Sequence, residues 1–295
     1  MIGRLPGTSR VSRRTAAAFL RSTATAFGGV AVAGQLAGPL FPHGLPAPGW
    51  VTVGSAGICV LWGAYRSRPV PVVRQEFRRP DLTVVVEAGD LFTAPGHLVV
   101  GFCDTFDTAP EDGRLINEGS VQAQLLRRRY DGDVRRLDAE LCAALAPVAP
   151  RSREVRADKP LGKLDRYPLG TVAVLGAPPR LVFATAYSRL GLDLVASSGV
   201  EDLWFCLNRL WDAVDRRART DSVAMPLVGS GLARMDHLDQ DSLLRLILMS
   251  FVARSREGAV CRELRVVLRP ADLASVSVPE VRAFLRSMAE GLADR

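Results

Sequence analysis

The sequence is poor in lysine, histidine and aromatic side chains, and each shortage narrows the chemistry open to the chain. Lys159 and Lys163 are its only lysines, so arginine supplies nearly all of the positive charge. The three histidines stand far apart and form no pattern of metal ligands, so we predict no metal site. Aromatic residues make up only 6% of the chain, which argues against a stacking platform for single-stranded nucleic acid.

The cysteines are few, odd in number and never arranged as Cys-x-x-Cys. All five lie among apolar residues at wide spacings, and they are Cys59, Cys103, Cys142, Cys206 and Cys261. Such a set is typical of reduced, buried thiols in a reducing compartment rather than of a disulfide framework.

Length and composition allow one large domain or two small ones, with a membrane segment. The chain has 295 residues, of which 48% are hydrophobic, and its mean hydropathy of +0.12 is high for a purely soluble protein. The net charge is +7 and the pI is about 9.6, but the arginines are dispersed rather than clustered. We therefore predict no nucleic-acid partner.

Two apolar runs in residues 1–68 predict a helical hairpin in a membrane. They span about 15–40 and about 49–65, with a proline-rich turn between them. Arginines flank both outer ends, so the positive-inside rule places both termini in the cytoplasm. The cleanest part of the first run, 24–40, and the whole second run are each roughly 17 residues, or about 26 Å of helix, slightly short of a bilayer core of about 30 Å. We expect a multi-pass protein of the inner (cytoplasmic) membrane that contacts the lipid bilayer.

A cleavable export signal is the alternative for this segment. Residues 12–14 (Ser-Arg-Arg) followed by 19–21 (Phe-Leu-Arg) resemble a loosened twin-arginine motif. The spacing is stretched, however, and a second uncharged apolar run follows at once. The unpaired cysteines also argue against an oxidising compartment, so the hairpin is the preferred interpretation.

Residues 69–79 are rich in proline and arginine and predict a linker, after which residues 80–295 alternate between strand and helix patterns. Apolar runs predict strands at 82–86, 96–101, 171–175, 181–186, 222–226 and 264–268. Periodicity predicts helices at 120–130, 134–145, 199–219, from about 239 to 253, and at 278–292. The polar segment 151–166 predicts a surface loop. This alternation predicts an α/β fold, an α/β/α sandwich with a largely central sheet.

The stretch 221–234 combines a short strand, a glycine loop and a following helix. In the loop Gly229-Ser230-Gly231, two of three residues lack a Cβ. Such a loop can turn its backbone N–H groups inward and form a nest for an anion, as phosphate-binding loops do. A tight turn between two core elements is the plainer alternative.

Four segments together resemble the macro domain, a family of modules that bind ADP-ribose and related nucleotides. Residues 89–91 (Gly-Asp-Leu) are similar to the family's Gly-Asp-Ile, whose aspartate accepts a hydrogen bond from the adenine amino group. Residues 97–104 stand in the place of its Val-Asn-Ala-Ala-Asn. Residues 117–120 (Asn-Glu-Gly-Ser) resemble its first phosphate loop, and 226–232 (Pro-Leu-Val-Gly-Ser-Gly-Leu) resemble the second. The resemblance implies a macro-domain-like sandwich over about residues 80–270.

The resemblance also implies a ligand, ADP-ribose or a derivative such as a histidine adduct, and no cofactor. Relatives that hydrolyse ADP-ribose linkages commonly use the last asparagine of the strand-end motif. Here Asp104 stands in its place and Gly101 at the earlier asparagine, so Asp104 is a weak catalytic candidate and binding without turnover is favoured. For Asp90 and Ser120 a helix cap is the plainer role. The residues implied at the ligand are Gly89, Asp90, Leu91, Asp104, Asn117, Gly119, Ser120, Val228, Gly229, Ser230, Gly231 and Leu232.

A macro domain behind two membrane helices is similar to the membrane-type effectors of type II Thoeris anti-phage defence. In that family a partner TIR-domain protein makes a nucleotide signal from NAD, and the macro domain senses it. The resemblance implies a membrane sensor of that signal, which we expect to be a homo-oligomer. A membrane-tethered ADP-ribosyl hydrolase in which Asp104 orients water, and a non-catalytic scaffold, remain the alternatives.

Overall fold

The computed structural model describes residues 72–110, 113–229 and 238–290. The two predicted membrane helices, about 15–40 and 49–65, lie outside these ranges. Within them, no helix combines the length and apolarity needed to cross a bilayer.

The described residues form a sequence of strands and helices close to the predicted one. The strands are β1 (Val73–Arg78), β2 (Asp81–Ala88), β3 (His97–Cys103), β4 (Ser152–Arg153), β5 (Asp165–Arg166), β6 (Val172–Leu175), β7 (Val182–Leu190), β8 (Ala196–Ser197), β9 (Ser222–Pro226) and β10 (Glu263–Leu268). The helices are α1 (Val121–Arg129), α2 (Val134–Leu145), α3 (Val200–Ala218), α4 (Gln240–Glu257) and α5 (Val278–Glu290). Short 3-10 turns occupy Leu91–Thr93 and Asp272–Ser275.

One mixed sheet organises these elements. Its strand order is β1-β2-β10-β9-β3-β7-β6, with β8 paired to the end of β7. The inner strands β2, β10, β9, β3 and β7 are parallel, whereas β1 and β6 are antiparallel to their neighbours. The carboxyl ends of the parallel strands therefore lie along the same edge, where ligands bind in open α/β sheets.

Helices α1 and α2 cover one face of the sheet. Leu125 of α1 and Leu137 and Leu141 of α2 are fully buried in the cluster that contains Val100 and Phe102 of β3. Because α1 is anchored against β3, the loop that precedes it is held next to the carboxyl end of that strand.

Helices α3, α4 and α5 cover the opposite face, which confirms the predicted α/β/α sandwich. Trp211 of α3 meets Phe251 of α4 edge to face, with their ring centroids 5.2 Å apart. The Trp211 Nε1–H donates to Ser250 Oγ at 3.1 Å, so its polar atom is satisfied in the core.

Side-chain caps explain where three of the helices begin. Ser120 Oγ accepts from the Ala123 N–H at 3.1 Å, and an Asp133 carboxylate oxygen accepts from the Arg136 N–H at 3.1 Å. Asp239 caps α4 in the same way. These caps confirm the predicted helix starts near 120, 134 and 239. The starts could be predicted because a cap and the N–H group that it accepts from are only three residues apart.

The predicted linker 69–79 is wrong in its second half, because Val73–Arg78 form the edge strand β1. Only Val73 and Phe77 are buried there, and the others are partly or fully exposed. Charged residues on an edge strand discourage pairing with other chains. Here they also interrupt the apolar run by which a strand is predicted from sequence.

The segment 151–166 is not simply a surface loop. It contains the antiparallel pair β4 and β5, and Lys159 within it is completely buried. The Lys159 Nζ donates to Asp107 Oδ2 at 3.2 Å, to the Leu161 carbonyl at 2.9 Å and to the Lys163 carbonyl at 2.7 Å. Three acceptors, one of them a carboxylate, replace the water that the ammonium group loses on burial.

Candidate functional site

A cavity of about 570 Å³ opens at the edge where the parallel strands end. Its size falls within the range of small-molecule sites, roughly 300–1,000 Å³. The last residues of β3, β7 and β10 and the segment after β9 form its base, while the loop before α1 and the β7–β8 hairpin form its walls. Topologically distant parts of the chain therefore meet around one opening.

The first predicted phosphate loop lines this cavity. Asn117 Oδ1 accepts from the Gly119 N–H at 2.8 Å, and the Ser120 N–H donates to the Asn117 carbonyl at 2.9 Å. The Ser120 hydroxyl caps α1, which agrees with the plainer role suggested by its sequence position. The loop thus places backbone groups and the amino-terminal end of a helix at the cavity wall, where an anion is favoured.

The second predicted loop lines the cavity through residues 226–229. The Val228 N–H donates to the Pro226 carbonyl at 2.9 Å, and Gly229 has φ +88°, a conformation that side chains disfavour. Ser230, Gly231 and Leu232 lie outside the described residues. The described part of the loop therefore turns sharply at Gly229, whose positive φ favours glycine.

The structure does not bring the Gly89-Asp90-Leu91 segment to the cavity lining. One Asp90 carboxylate oxygen accepts from the Phe92 N–H at 3.0 Å, and the other pairs with Arg128 of α1. Gly89 donates its N–H to the strand β10, and Leu91 is buried in the core. Asp90 therefore acts in this structure as the cap of a 3-10 turn and as an ion-pair partner.

A different acidic residue, Asp272, lines the cavity on the flank beyond β10. Its carboxylate accepts from Arg269 Nε at 2.6 Å and Nη2 at 2.9 Å, and from Gln240 Nε2 at 3.2 Å. The sequence analysis missed this residue, because no motif marks it and its position depends on the turn that follows β10.

Asp104 is 5% exposed and does not line the cavity. Arg166 Nη1 donates to both of its carboxylate oxygens, at 3.0 and 2.8 Å, and the Leu190 N–H donates to Oδ1 at 2.9 Å. These contacts join the ends of β3 and β7 to β5. The geometry assigns Asp104 a structural role in this conformation rather than contact with a ligand.

Tyr187 is a cavity residue that the sequence analysis missed, because the predicted strand ends at 186 whereas β7 continues to Leu190. Its ring lies so close to Gly101 that a Cβ on Gly101 would collide with it. Burial raises the pKa of the Tyr187 phenol, an effect partly offset by a hydrogen bond from the Gly229 backbone. The phenol is therefore neutral, and it connects β7 to the predicted second phosphate loop at Gly229.

Cys103 also lines the cavity, and its environment keeps the thiol protonated. Burial raises its pKa to about 11, although a hydrogen bond with Ser188, whose Oγ lies 3.4 Å from Sγ, acts in the opposite direction. A nucleophilic cysteine requires a lowered pKa, so the site does not activate this thiol.

The charge of the described cavity lining favours an anion. Arg114 and Arg269 are its cations, and Asp272 is its single acidic residue. Arg114 is exposed and forms no ion pair with any residue that the structure describes. Across the same ranges, no group of three or more histidine, cysteine or acidic side chains is placed to hold a metal ion.

Comparison with known proteins agrees with this architecture. A curated relative, the Thoeris protein ThsA of Bacillus amyloliquefaciens (strain Y2), is 27% identical over 209 residues, which cover 68% of this chain and 67% of the relative. Among solved structures, a mutant of the Oceanobacillus iheyensis macrodomain has a TM-score of 0.51 at 15% identity, covers 75% of this chain and 97% of its own, and shows the fold alone. The family described as "Thoeris protein ThsA, Macro domain" matches residues 84–269, more than half of the chain, and the chain therefore belongs to this family.

Proposed function

We propose that this protein is a membrane-anchored sensor that binds an ADP-ribose-derived nucleotide signal through its macro domain and acts at the membrane in anti-phage defence. One observation carries the proposal: the cavity of about 570 Å³ at the carboxyl ends of parallel strands, walled by two glycine-containing loops, in a chain of the ThsA macro-domain family.

The diphosphate of such a ligand fits between the two loops. The loop 117–120 and the segment 226–229 approach the cavity from β3 and β9, which are neighbours in the sheet. The amino-terminal end of α1, where Val121 and Gln122 line the cavity, can serve phosphate oxygens without removing a charged side chain from water. Arg114 adds a cation at the mouth of the cavity.

The lining favours binding over turnover. Of the lining residues, Cys103 has a protonated thiol, and the Asp272 carboxylate is held by Arg269. Asp104, which does not line the cavity, is held by Arg166. None of the described residues that line the cavity is a histidine. A general base must be free to accept a proton within reach of the substrate, and none of the described lining residues presents such a group.

The membrane part of the proposal rests on the apolar runs at about 15–40 and 49–65. We propose that they anchor the protein as a homo-oligomer, that both termini are cytoplasmic, and that a TIR-domain protein makes the signal. The nucleotide can change the state of the membrane segments only if it binds one conformation of the protein better than the other.

Calorimetry on the full-length protein in detergent, with ADP-ribose as the probe, tests the binding. Gly119→Val places a side chain at the cavity wall, where the added Cβ would lie 3.2 Å from Asn117 Oδ1. We expect it to weaken ADP-ribose binding at least tenfold, which corresponds to about 1.4 kcal/mol.

Gly258→Val is the matched control, because Gly258 has extended backbone and a Cβ there would come no closer than 4.0 Å to its nearest neighbour, the Arg254 guanidinium. The control should bind as the wild type does. Absence of ADP-ribose binding at millimolar ligand would reject the proposal. A Gly119→Val protein that binds ADP-ribose as the wild type does would place the diphosphate away from the loop 117–120.

A further inference from the structure

The two edges of the sheet differ in charge. Strand β1 at one edge carries Arg74, Glu76 and Arg78, which discourage pairing with another chain. Strand β6 lies at the other edge, within residues 167–179, and this stretch holds no charged side chain although 23% of the chain is charged. Strand β6 has neither a proline nor a bulge, so it lacks the usual protection of an edge.

The outer side of β6 presents main-chain groups. Strands β6 and β7 are antiparallel, and the Ala186 N–H of β7 donates to the Thr171 carbonyl at 2.9 Å. Because hydrogen-bonded and non-hydrogen-bonded pairs alternate in an antiparallel ladder, the N–H and C=O groups of Val172 and Val174 point away from β7. No residue that the structure describes forms a hydrogen bond with these four groups.

An exposed aromatic side chain lies beside this edge. Phe205 of α3 is 52% exposed, and its ring approaches the start of β6 so closely that a Cβ on Gly170 would lie 3.1 Å from it. Val172 and Val174 pack against the same core as α3 but stay partly exposed. The edge thus combines outward main-chain groups with apolar surface, the two features by which an added strand binds.

We propose that β6 pairs with β6 of a second copy of this chain, antiparallel, about a twofold axis at Ala173. In that register Val172 of one copy lies opposite Val174 of the other, so all four outward groups of each strand are hydrogen bonded. Gly170 then lies opposite Gly176, and the charge-free residues that flank β6 meet one another. The edge is its own complement, which identifies the occupant as a second copy.

The charges nearest the edge do not oppose this pairing. Arg209 of α3 lies beside Gly170, whereas Arg129 of α1 lies beside Gly176. Helices α3 and α1 cover opposite faces of the sheet, and antiparallel pairing keeps each face on its own side, so these two guanidinium groups do not meet. Glu140 accepts from the Gly176 N–H at 3.2 Å and adds a negative charge there.

The pairing closes at two copies. It uses the β6 edge of each copy and leaves only the β1 edges, which their charged side chains protect. We therefore expect a dimer rather than a growing assembly of strands.

Paired cysteine variants of the full-length protein in detergent test the register. Cys59→Ala and the exposed Cys142→Ala first reduce the natural thiol background. Val172→Cys and Val174→Cys, made with different tags and mixed, have Cα atoms about 5.5 Å apart across the twofold, within the range of roughly 4.4–6.8 Å for a disulfide. In either variant alone the identical positions are diagonal neighbours, about 7–8 Å apart, which is too far.

We expect oxidation to give about tenfold more disulfide-linked dimer from the mixture than from either variant alone, because only the mixture has the required geometry. Gln75→Cys is the matched control, since it lies on the opposite edge and keeps the charges of Arg74 and Glu76. It should give no more linked dimer than the parent protein that lacks Cys59 and Cys142.

Hydrogen exchange on the wild type gives a second measurement that needs no substitution. The outward N–H groups of Val172 and Val174 should exchange about tenfold more slowly in concentrated than in diluted protein, because pairing protects them. If the cysteine variants fail to fold, this dependence on concentration alone decides the question.

Each outcome decides the proposal. Equal yields from the mixture and the single variants would refute the twofold at Ala173, whatever the exchange rates. Rapid exchange at Val172 and Val174 at every concentration means that the edge stays open, and slow exchange at every concentration means that another segment or protein covers it. Either result overturns the proposal. The inference rests on the homo-oligomer of the proposed function but not on its ligand, so its failure leaves ADP-ribose binding to be decided by calorimetry.

Discussion

Replacement of Asp104 by alanine should destabilise the protein, because this carboxylate lies in a nearly buried ion pair. Its two oxygens receive three hydrogen bonds, two from Arg166 and one from the Leu190 N–H. The side chains of Asp104 and Arg166 are only 7% and 14% exposed. Asp104→Ala would leave the guanidinium with Glu154 as its remaining ion-pair partner and the Leu190 N–H without an acceptor.

The expected loss can be estimated from these contacts. Breaking a buried ion pair by removing one partner typically costs about 3–5 kcal/mol. Since Arg166 keeps Glu154, we expect about 3 kcal/mol, a value that also includes the unsatisfied N–H. In a domain of this size, each kcal/mol of lost stability lowers Tm by about 2–4 °C, so Tm should fall by about 6–12 °C.

Thermal unfolding of full-length protein in detergent, followed by tryptophan fluorescence, measures this change. Asp165→Ala is the control, because Asp165 pairs with Arg153 on the surface, where the side chains are 36% and 69% exposed. That pair should contribute less than about 1 kcal/mol. An Asp104→Ala protein with wild-type Tm and no ADP-ribose binding would refute the structural role and return Asp104 to the ligand site.

Three further changes probe the same edge of the sheet. Iodoacetamide at pH 8 should alkylate the exposed Cys142 much faster than Cys103, because burial raises the pKa of the Cys103 thiol to about 11. Peptide mass spectrometry measures both alkylation rates, and equal rates would contradict the burial of Cys103. Lys159→Met leaves the Asp107 carboxylate without its buried ammonium partner and should lower the free energy of unfolding by about 3 kcal/mol. The urea midpoint should fall accordingly, and an unchanged midpoint would contradict a stabilising role for this ion pair. Gly229→Ala should cost about 1 kcal/mol because φ there is +88°, and should weaken ADP-ribose binding in calorimetry, whereas wild-type affinity would place the diphosphate elsewhere.

The elements of the globular part could be predicted because their signals are local. Strand β9 coincides with the predicted Ser222–Pro226, and α4 starts at the predicted cap Asp239. Buried parallel strands are continuous apolar runs, and a cap acts on a residue three positions away, so a short window of sequence contains the whole signal. Strand β1 escaped prediction because an edge strand buries only Val73 and Phe77.

The site could be predicted only in part. The glycine loops are contiguous in sequence, and Asn117, Gly119, Ser120 and residues 226–229 line the cavity. Asp90 and Asp104 stand at positions that the family resemblance marks, yet their carboxylates face Arg128 and Arg166. Those partners lie 38 and 62 residues away along the chain. No short window of sequence contains such a pairing.

The sequence by itself determined the alternation of strands and helices, the helix caps and the two glycine loops, because each depends on neighbours along the chain. Only the tertiary structure decided which side chains surround the cavity. The order β10-β9-β3-β7 brings four strand ends from distant parts of the chain to one edge, and packing there selects Tyr187, Leu194 and Asp272 for its walls. That selection depends on contacts between elements, which local pattern does not encode.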